Sequence, residues 1–104
     1  MHKELLEKIK SKKFSVSVVG LGYVGLPLLL RFQKKGIKIF GIDNDTKKIS
    51  DLKNGKSYIS DIKNQELNFI KKNKEVVSKD FNLIKKSDVT ILCLPTPLKK
   101  NKEP

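Results

Sequence analysis

Cysteine, histidine and methionine each occur once in these 104 residues, and tryptophan is missing. A lone Cys93 excludes an internal disulfide and any zinc site built on several thiolates. With His2 the only histidine, the usual donors of a metal cluster are lacking, and no metal is expected. This cysteine usage fits a reducing, cytoplasmic compartment. Long apolar runs are absent too. The stretches at 16–19, 26–30 and 91–95 are short and flanked by polar residues, against roughly 18 apolar residues for a membrane span. No membrane partner is expected. The N-terminal MHKELLEKIKSKKF has basic residues but no apolar signal core, and reads as an amphipathic helix rather than a secretion signal.

Acidic residues are also scarce, 11 against 23 basic ones, giving a net charge of +12. Such a balance invites nucleic acid or anionic lipid. The kind of basic residue argues otherwise. Arg31 is the only arginine, and arginine does most base reading and bidentate phosphate gripping. The lysines are spread over every segment and read as solvated faces. No nucleic-acid partner is expected, and a basic nucleic-acid-binding domain stays only as a competing reading.

What the chain does have is a regular alternation of strand and helix signals. Leu5, Leu6 and Ile9 predict a leading helix over 3–11. Phe14, Val16, Val18 and Val19 predict a buried strand. Val24, Leu26, Leu28, Leu29, Leu30 and Phe32 outline an apolar helix whose start Pro27 pins near Tyr23 or Val24 and whose end falls at Gly36. A second strand follows at 37–43. A helix over 45–55 has Asp45 as N-cap and Gly55 as stop. Residues 56–61 form a loop, 62–72 a third helix through Leu67 and Ile70, and 75–79 a short strand. Asp80 caps a brief helix to about Lys86, and 88–94 is a last strand stopped by Pro95 and Pro97. The expected fold is therefore α/β, a parallel sheet of order 3-2-1-4 with helices on both faces. Residues 1–13 form its leading helix, 14–97 its core and 98–104 a frayed tail.

Gly20, Gly22 and Gly25 give G-x-G-x-x-G between the first strand and the first long helix. In that setting the first glycine makes the tight turn, the second lets a pyrophosphate approach the backbone, and the third lets helix pack on strand. Free N–H groups at the helix start would hold the phosphates. Asp43 closes the second strand 18 residues after Gly25, near the position of the ribose-binding acid. A carboxylate there favours NAD over the 2′-phosphate of NADP, although Lys47 and Lys48 lie close by and weaken that preference. Thr96, in LPTP, exits the fourth strand beside the same crevice. Cys93 reads as a buried core thiol, and Tyr23 and Tyr58 as packing or loop anchors rather than catalysts.

Taken together, VVGLGYVGLPL, GIDNDTKKI, NGKSYISDI and LCLPTPLKKNKEP resemble, in order and spacing, the N-terminal part of the UDP-glucose/GDP-mannose (nucleotide-sugar) 6-dehydrogenase family. SYISDI and PTPLKKNKEP look most like the branch acting on UDP-N-acetylhexosamines such as UDP-N-acetylglucosamine. The resemblance implies NAD as cofactor. Gly20, Leu21, Gly22, Tyr23, Val24 and Gly25 would hold the pyrophosphate, Asp43 the adenosine ribose with Lys48 supporting that end, and Thr96 would line the nicotinamide side. It also implies a homo-oligomeric full-length enzyme that oxidises the C6 alcohol of a UDP-sugar to a carboxylate with two NAD⁺ for polysaccharide precursors, capturing the aldehyde on a cysteine. That cysteine belongs to a Gly-rich segment ending in Cys-x-Pro-Lys, which these residues do not contain, and Cys93 does not inherit its role. The expected reading is a Rossmann-type fold truncated after its fourth strand, without a catalytic residue or sugar-nucleotide domain, and inactive alone. A stand-alone NAD-sensing module is the main competitor.

Overall fold

The computed structural model describes residues 13–94. The leading helix expected over 3–11, Thr96, and the tail from Pro95 onward lie outside the described residues. Four parallel strands form one sheet in the order β3-β2-β1-β4: β1 Ser15–Val19, β2 Lys38–Ile42, β3 Val77–Ser78 and β4 Val89–Leu92. In register, Val16 pairs with Ile39 and Val89, and Val18 with Gly41 and Ile91. Alternation along the strands puts these residues on one face. They join Leu26, Leu29, Leu52, Leu67 and Ile70 in a single core, with Val89 and Ile91 packed at its margin.

Helix α1, Gly25–Lys34, buries Gly25, Leu26, Leu29 and Leu30, the spacing of one helical stripe. It starts at Gly25, with Val24 in the N-cap position. Pro27 thus falls in the first turn, where its missing N–H leaves no intrahelical bond unmade. At the other end Gly36 has φ +83°. The Gly36 N–H donates to Gln33 O and the Ile37 N–H to Phe32 O, the paired bonds of a Schellman stop. Helix α2, Thr46–Lys53, is capped by Asp45, whose carboxylate accepts from the amides of Lys47 and Lys48 at 2.9 and 3.3 Å. Gly55, at φ +71°, ends it.

The third helix divides. Asn64–Leu67 is a 3-10 turn and Asn68–Lys72 a five-residue α3. A second 3-10 turn, Lys74–Val76, precedes the two-residue β3. Asp80 caps the next segment as expected, accepting from Asn82 N–H, but Phe81–Lys86 is 3-10 rather than α. That segment packs against β1 and β2. It lies on the face opposite α1, where Ser17 Oγ donates to Ser87 Oγ at 2.7 Å. Coverage is thin at β4, where Leu92 stays 68% exposed. Among the described residues no helix is long and apolar enough to cross a membrane.

Candidate functional site

The chain runs from β1 to β2 and β3 on one side of the sheet, then returns to place β4 on the other side of β1. Strand order therefore reverses at β1, and a crevice is expected beyond its carboxyl end. A cleft of about 700 Å³ lies there, bordered by the glycine turn, Asp43 to Asp45, Lys48, Phe81 and Cys93 to Leu94.

Each glycine of the turn has its own reason. Gly20 has φ +98°, and a Cβ on it would lie 2.5 Å from the carbonyl oxygen of Cys93. A Cβ on Gly25 would lie 1.7 Å from Gly20 O, so the helix can seat against the turn only without one. Gly22 is different. It is not among the positive-φ glycines, and among the described residues a Cβ there would meet only the Lys48 ammonium, at 3.9 Å. Neither backbone conformation nor the packing of those residues asks for glycine at this position. The N–H groups of Gly22, Tyr23 and Val24 also find no acceptor among the described residues. Open space above Gly22, beside free amides and an ammonium, suits an anionic ligand lying on the backbone.

Asp43 is buried, and both of its oxygens are engaged. Oδ2 accepts from Leu21 N–H at 2.8 Å and Oδ1 from Asp45 N–H at 2.8 Å. Only a carboxylate accepts on both sides; an amide would turn a donor toward one of these N–H groups. A carboxylate offers about four acceptor positions, so the two bonds leave capacity for ribose hydroxyls. Sequence reasoning placed Asp43 at the ribose but did not foresee that it also braces the glycine turn.

The Leu21 peptide is held from its other end by Tyr58, whose hydroxyl donates to Leu21 O at 2.5 Å. Burial, with added repulsion from Asp43, Asp45 and Asp51, pushes the Tyr58 hydroxyl well above the usual tyrosine range, so it stays a donor. The Lys48 ammonium sits over the Tyr58 ring, 5.8 Å from its centroid. Tyr58 and Lys48 share a smaller hollow of about 290 Å³ with Gly22 and Ile59. Cys93 differs from the buried thiol expected: it is half-buried and forms part of the cleft wall. Its N–H donates to Val19 O at 2.7 Å, which carries the β1–β4 pairing past the end of β4. Among the described residues no group of His, Cys, Asp or Glu could hold a metal ion.

A parallel 3-2-1-4 sheet with a glycine turn at its switch point and an acid closing β2 defines a Rossmann-type dinucleotide-binding domain. Residues 14–104 match the UDP-glucose/GDP-mannose dehydrogenase family, NAD binding domain. The chain belongs to that family. It is 36% identical over 95 residues to a UDP-N-acetyl-D-mannosamine dehydrogenase of Methanococcus vannielii, covering 88% of this chain and 21% of that protein. It is 38% identical over 95 residues to a UDP-N-acetyl-D-glucosamine 6-dehydrogenase of Pseudomonas aeruginosa, covering 89% and 21%. Among solved structures, a ternary complex of GDP-mannose dehydrogenase from Pseudomonas aeruginosa superposes with a TM-score of 0.71 at 31% identity, over 83% of this chain and 20% of that one. The chain thus spans about a fifth of the length of the relatives it matches.

Proposed function

We infer that these residues supply the NAD-binding part of an enzyme that oxidises the C6 hydroxyl of a UDP-N-acetylhexosamine, UDP-N-acetylglucosamine foremost, to the carboxylate with two NAD⁺, making a polysaccharide precursor. The observation that carries the cofactor half is Gly22, a glycine that nothing among the described residues requires, set beside N–H groups that find no acceptor among those residues. In this reading Gly20 to Gly25 receive the pyrophosphate, Asp43 the adenosine ribose, and Lys48 supports that end. Thr96, outside the described residues, is assigned to the nicotinamide side by the family resemblance alone. Bound NAD⁺ supplies the hydride acceptor; the chain's own residues bind and orient it. Asp43 disfavours a 2′-phosphate by charge, so NADP binds more weakly.

The sugar half rests on names and motifs. Two of the relatives above are named for UDP-N-acetylhexosamines and one for GDP-mannose, and SYISDI points the same way. The 104 residues are read as inactive alone. The cytoplasm is the proposed compartment, and a homo-oligomer the proposed state of the full-length enzyme.

Titration with NAD⁺ followed by amide NMR tests the cofactor half: shifts at Gly20 to Gly25 are expected, and still amides at millimolar ligand would overturn it. Mixing the chain with UDP-N-acetylglucosamine and NAD⁺ is expected to give no NADH absorbance. Steady NADH production would show that the chemistry lies within these residues after all.

A further inference from the structure

We propose that Tyr58 is a positioning residue for the phosphate-binding turn, fixing the Leu21–Gly22 peptide through its hydroxyl and seating the Lys48 ammonium beside Gly22 with its ring. The proposal rests on the reading of Gly20 to Gly25 as the pyrophosphate site and goes beyond it. Tyr58 lines the smaller hollow beside Gly22 and Lys48, and its hydroxyl is spent on the Leu21 carbonyl, so it acts through the turn.

The geometry follows from the peptide plane. The described peptide bonds include no cis form, and in a trans peptide C=O and N–H point in opposite directions. When Tyr58 holds the Leu21 carbonyl, the Gly22 N–H of the same plane is turned away from Tyr58. That N–H has no acceptor among the described residues. The preceding peptide is fixed independently, because the Leu21 N–H is bound by Asp43. Two consecutive peptides of the turn are thus held by side chains 22 and 37 residues away, and the donor aimed at the ligand does not have to be ordered at binding. The ring has a second task. Lys48 makes no ion pair among the described residues, and its ammonium rests over the Tyr58 face. This holds a cation by the quadrupole of the ring, 3.9 Å from where a Gly22 Cβ would be. A cation held in this way keeps its charge available to a phosphate, where a carboxylate partner would neutralise it.

The ligand class that should feel Tyr58 is therefore the pyrophosphate and not the nucleoside. The test compares NAD⁺, ADP-ribose and adenosine on the wild-type chain and on Tyr58→Phe, by calorimetry or NMR titration. The variant should lose about fivefold in affinity for NAD⁺ and ADP-ribose, the scale of one hydrogen bond, with adenosine unchanged. Equal losses for all three ligands, or none, overturn the proposal. If the wild-type chain leaves its Gly20 to Gly25 amides unmoved by NAD⁺, the reading of the site itself fails, and the proposal with it. Should Tyr58→Phe not fold, Lys48→Met decides, since it removes the cation and leaves the tyrosine hydrogen bond. It should weaken NAD⁺ and ADP-ribose about threefold and flatten the salt dependence of NAD⁺ binding, with adenosine losing less than either. Unchanged NAD⁺ affinity in that variant overturns the proposal.

Discussion

The main-chain N–H of Leu21 and the carboxylate of Asp43 are joined by a buried 2.8 Å hydrogen bond that ties the glycine turn to the end of β2. Asp43 therefore serves the fold before any cofactor arrives. Asp43→Ala leaves the N–H groups of Leu21 and Asp45 without their acceptor, and should cost about 2–3 kcal/mol in urea unfolding. Asp43→Asn keeps the volume and one acceptor, and should cost about 1–2 kcal/mol. A ribose contact alone would leave the stability of the free protein untouched by either change, so unfolding midpoints equal to wild type would remove the structural role.

Gly22 and Gly25 should part company on substitution. Gly25→Ala drives a Cβ into Gly20 O at 1.7 Å, and should cost about 3 kcal/mol or more, because backbone must move to admit it. Gly22→Ala meets, among the described residues, nothing closer than the end of the Lys48 side chain at 3.9 Å. Its stability should stay within about 1 kcal/mol, while NAD⁺ affinity falls about tenfold as the methyl fills the space meant for phosphate. Thermal unfolding and ligand titration on the same two samples check the contrast.

The raised Tyr58 hydroxyl predicts a specific alkaline behaviour. In the unfolded chain this tyrosine ionises near 10; in the folded chain burial and the nearby aspartates hold it protonated to higher pH. Above pH 10 the unfolded state releases a proton that the native state keeps, so stability falls as pH rises. The contribution is complete below pH 10 and is lost on going above it. Tyr58→Phe should flatten this decline in urea-unfolding measurements between pH 9 and 11. An equally steep decline in the variant would assign it to other groups.

Leu92 points from β4 into solvent at 68% exposure, while the Phe81–Lys86 segment packs against β1 and β2. Leu92→Ser should change stability by no more than about 0.5 kcal/mol. It should also reduce any concentration-dependent association seen by light scattering, since an apolar edge strand is a pairing hazard. A loss of several kcal/mol would mean that this face is packed in the free chain.

Much of the fold was legible because its signals are local. Asp45 and Asp80 cap where short acceptor side chains precede a helical run, and Gly36 and Gly55 stop helices by adopting φ that other residues avoid. The signals that suggested helices at 62–72 and from Asp80 to about Lys86 were less decisive. Leu67 and Ile70 are three apart, a spacing that α and 3-10 turns share. The bonds Leu83 N–H to Asp80 O and Ser87 N–H to Ile84 O are of the i to i+3 kind, so the backbone took the tighter form. The parts of the site that escaped are all contacts between distant positions. No local pattern says that Tyr58 reaches the Leu21 carbonyl, or that Cys93 forms a cleft wall. The reading of Tyr58 as a packing or loop anchor, and its place in SYISDI, mark the residue without giving the contact.

The touching of Gly20 and Cys93 also orders events in time. The turn that begins at Gly20 is closed on one side by the carbonyl of Cys93, and β4 must already be paired with β1 to bring it there. A chain emerging from the ribosome can build α1 early, but it lacks this wall until some seventy residues later. Closure over so long a loop is entropically slow compared with forming a helix. The dinucleotide cradle, among the first features to be written in the sequence, is thus completed only when the fourth strand has paired.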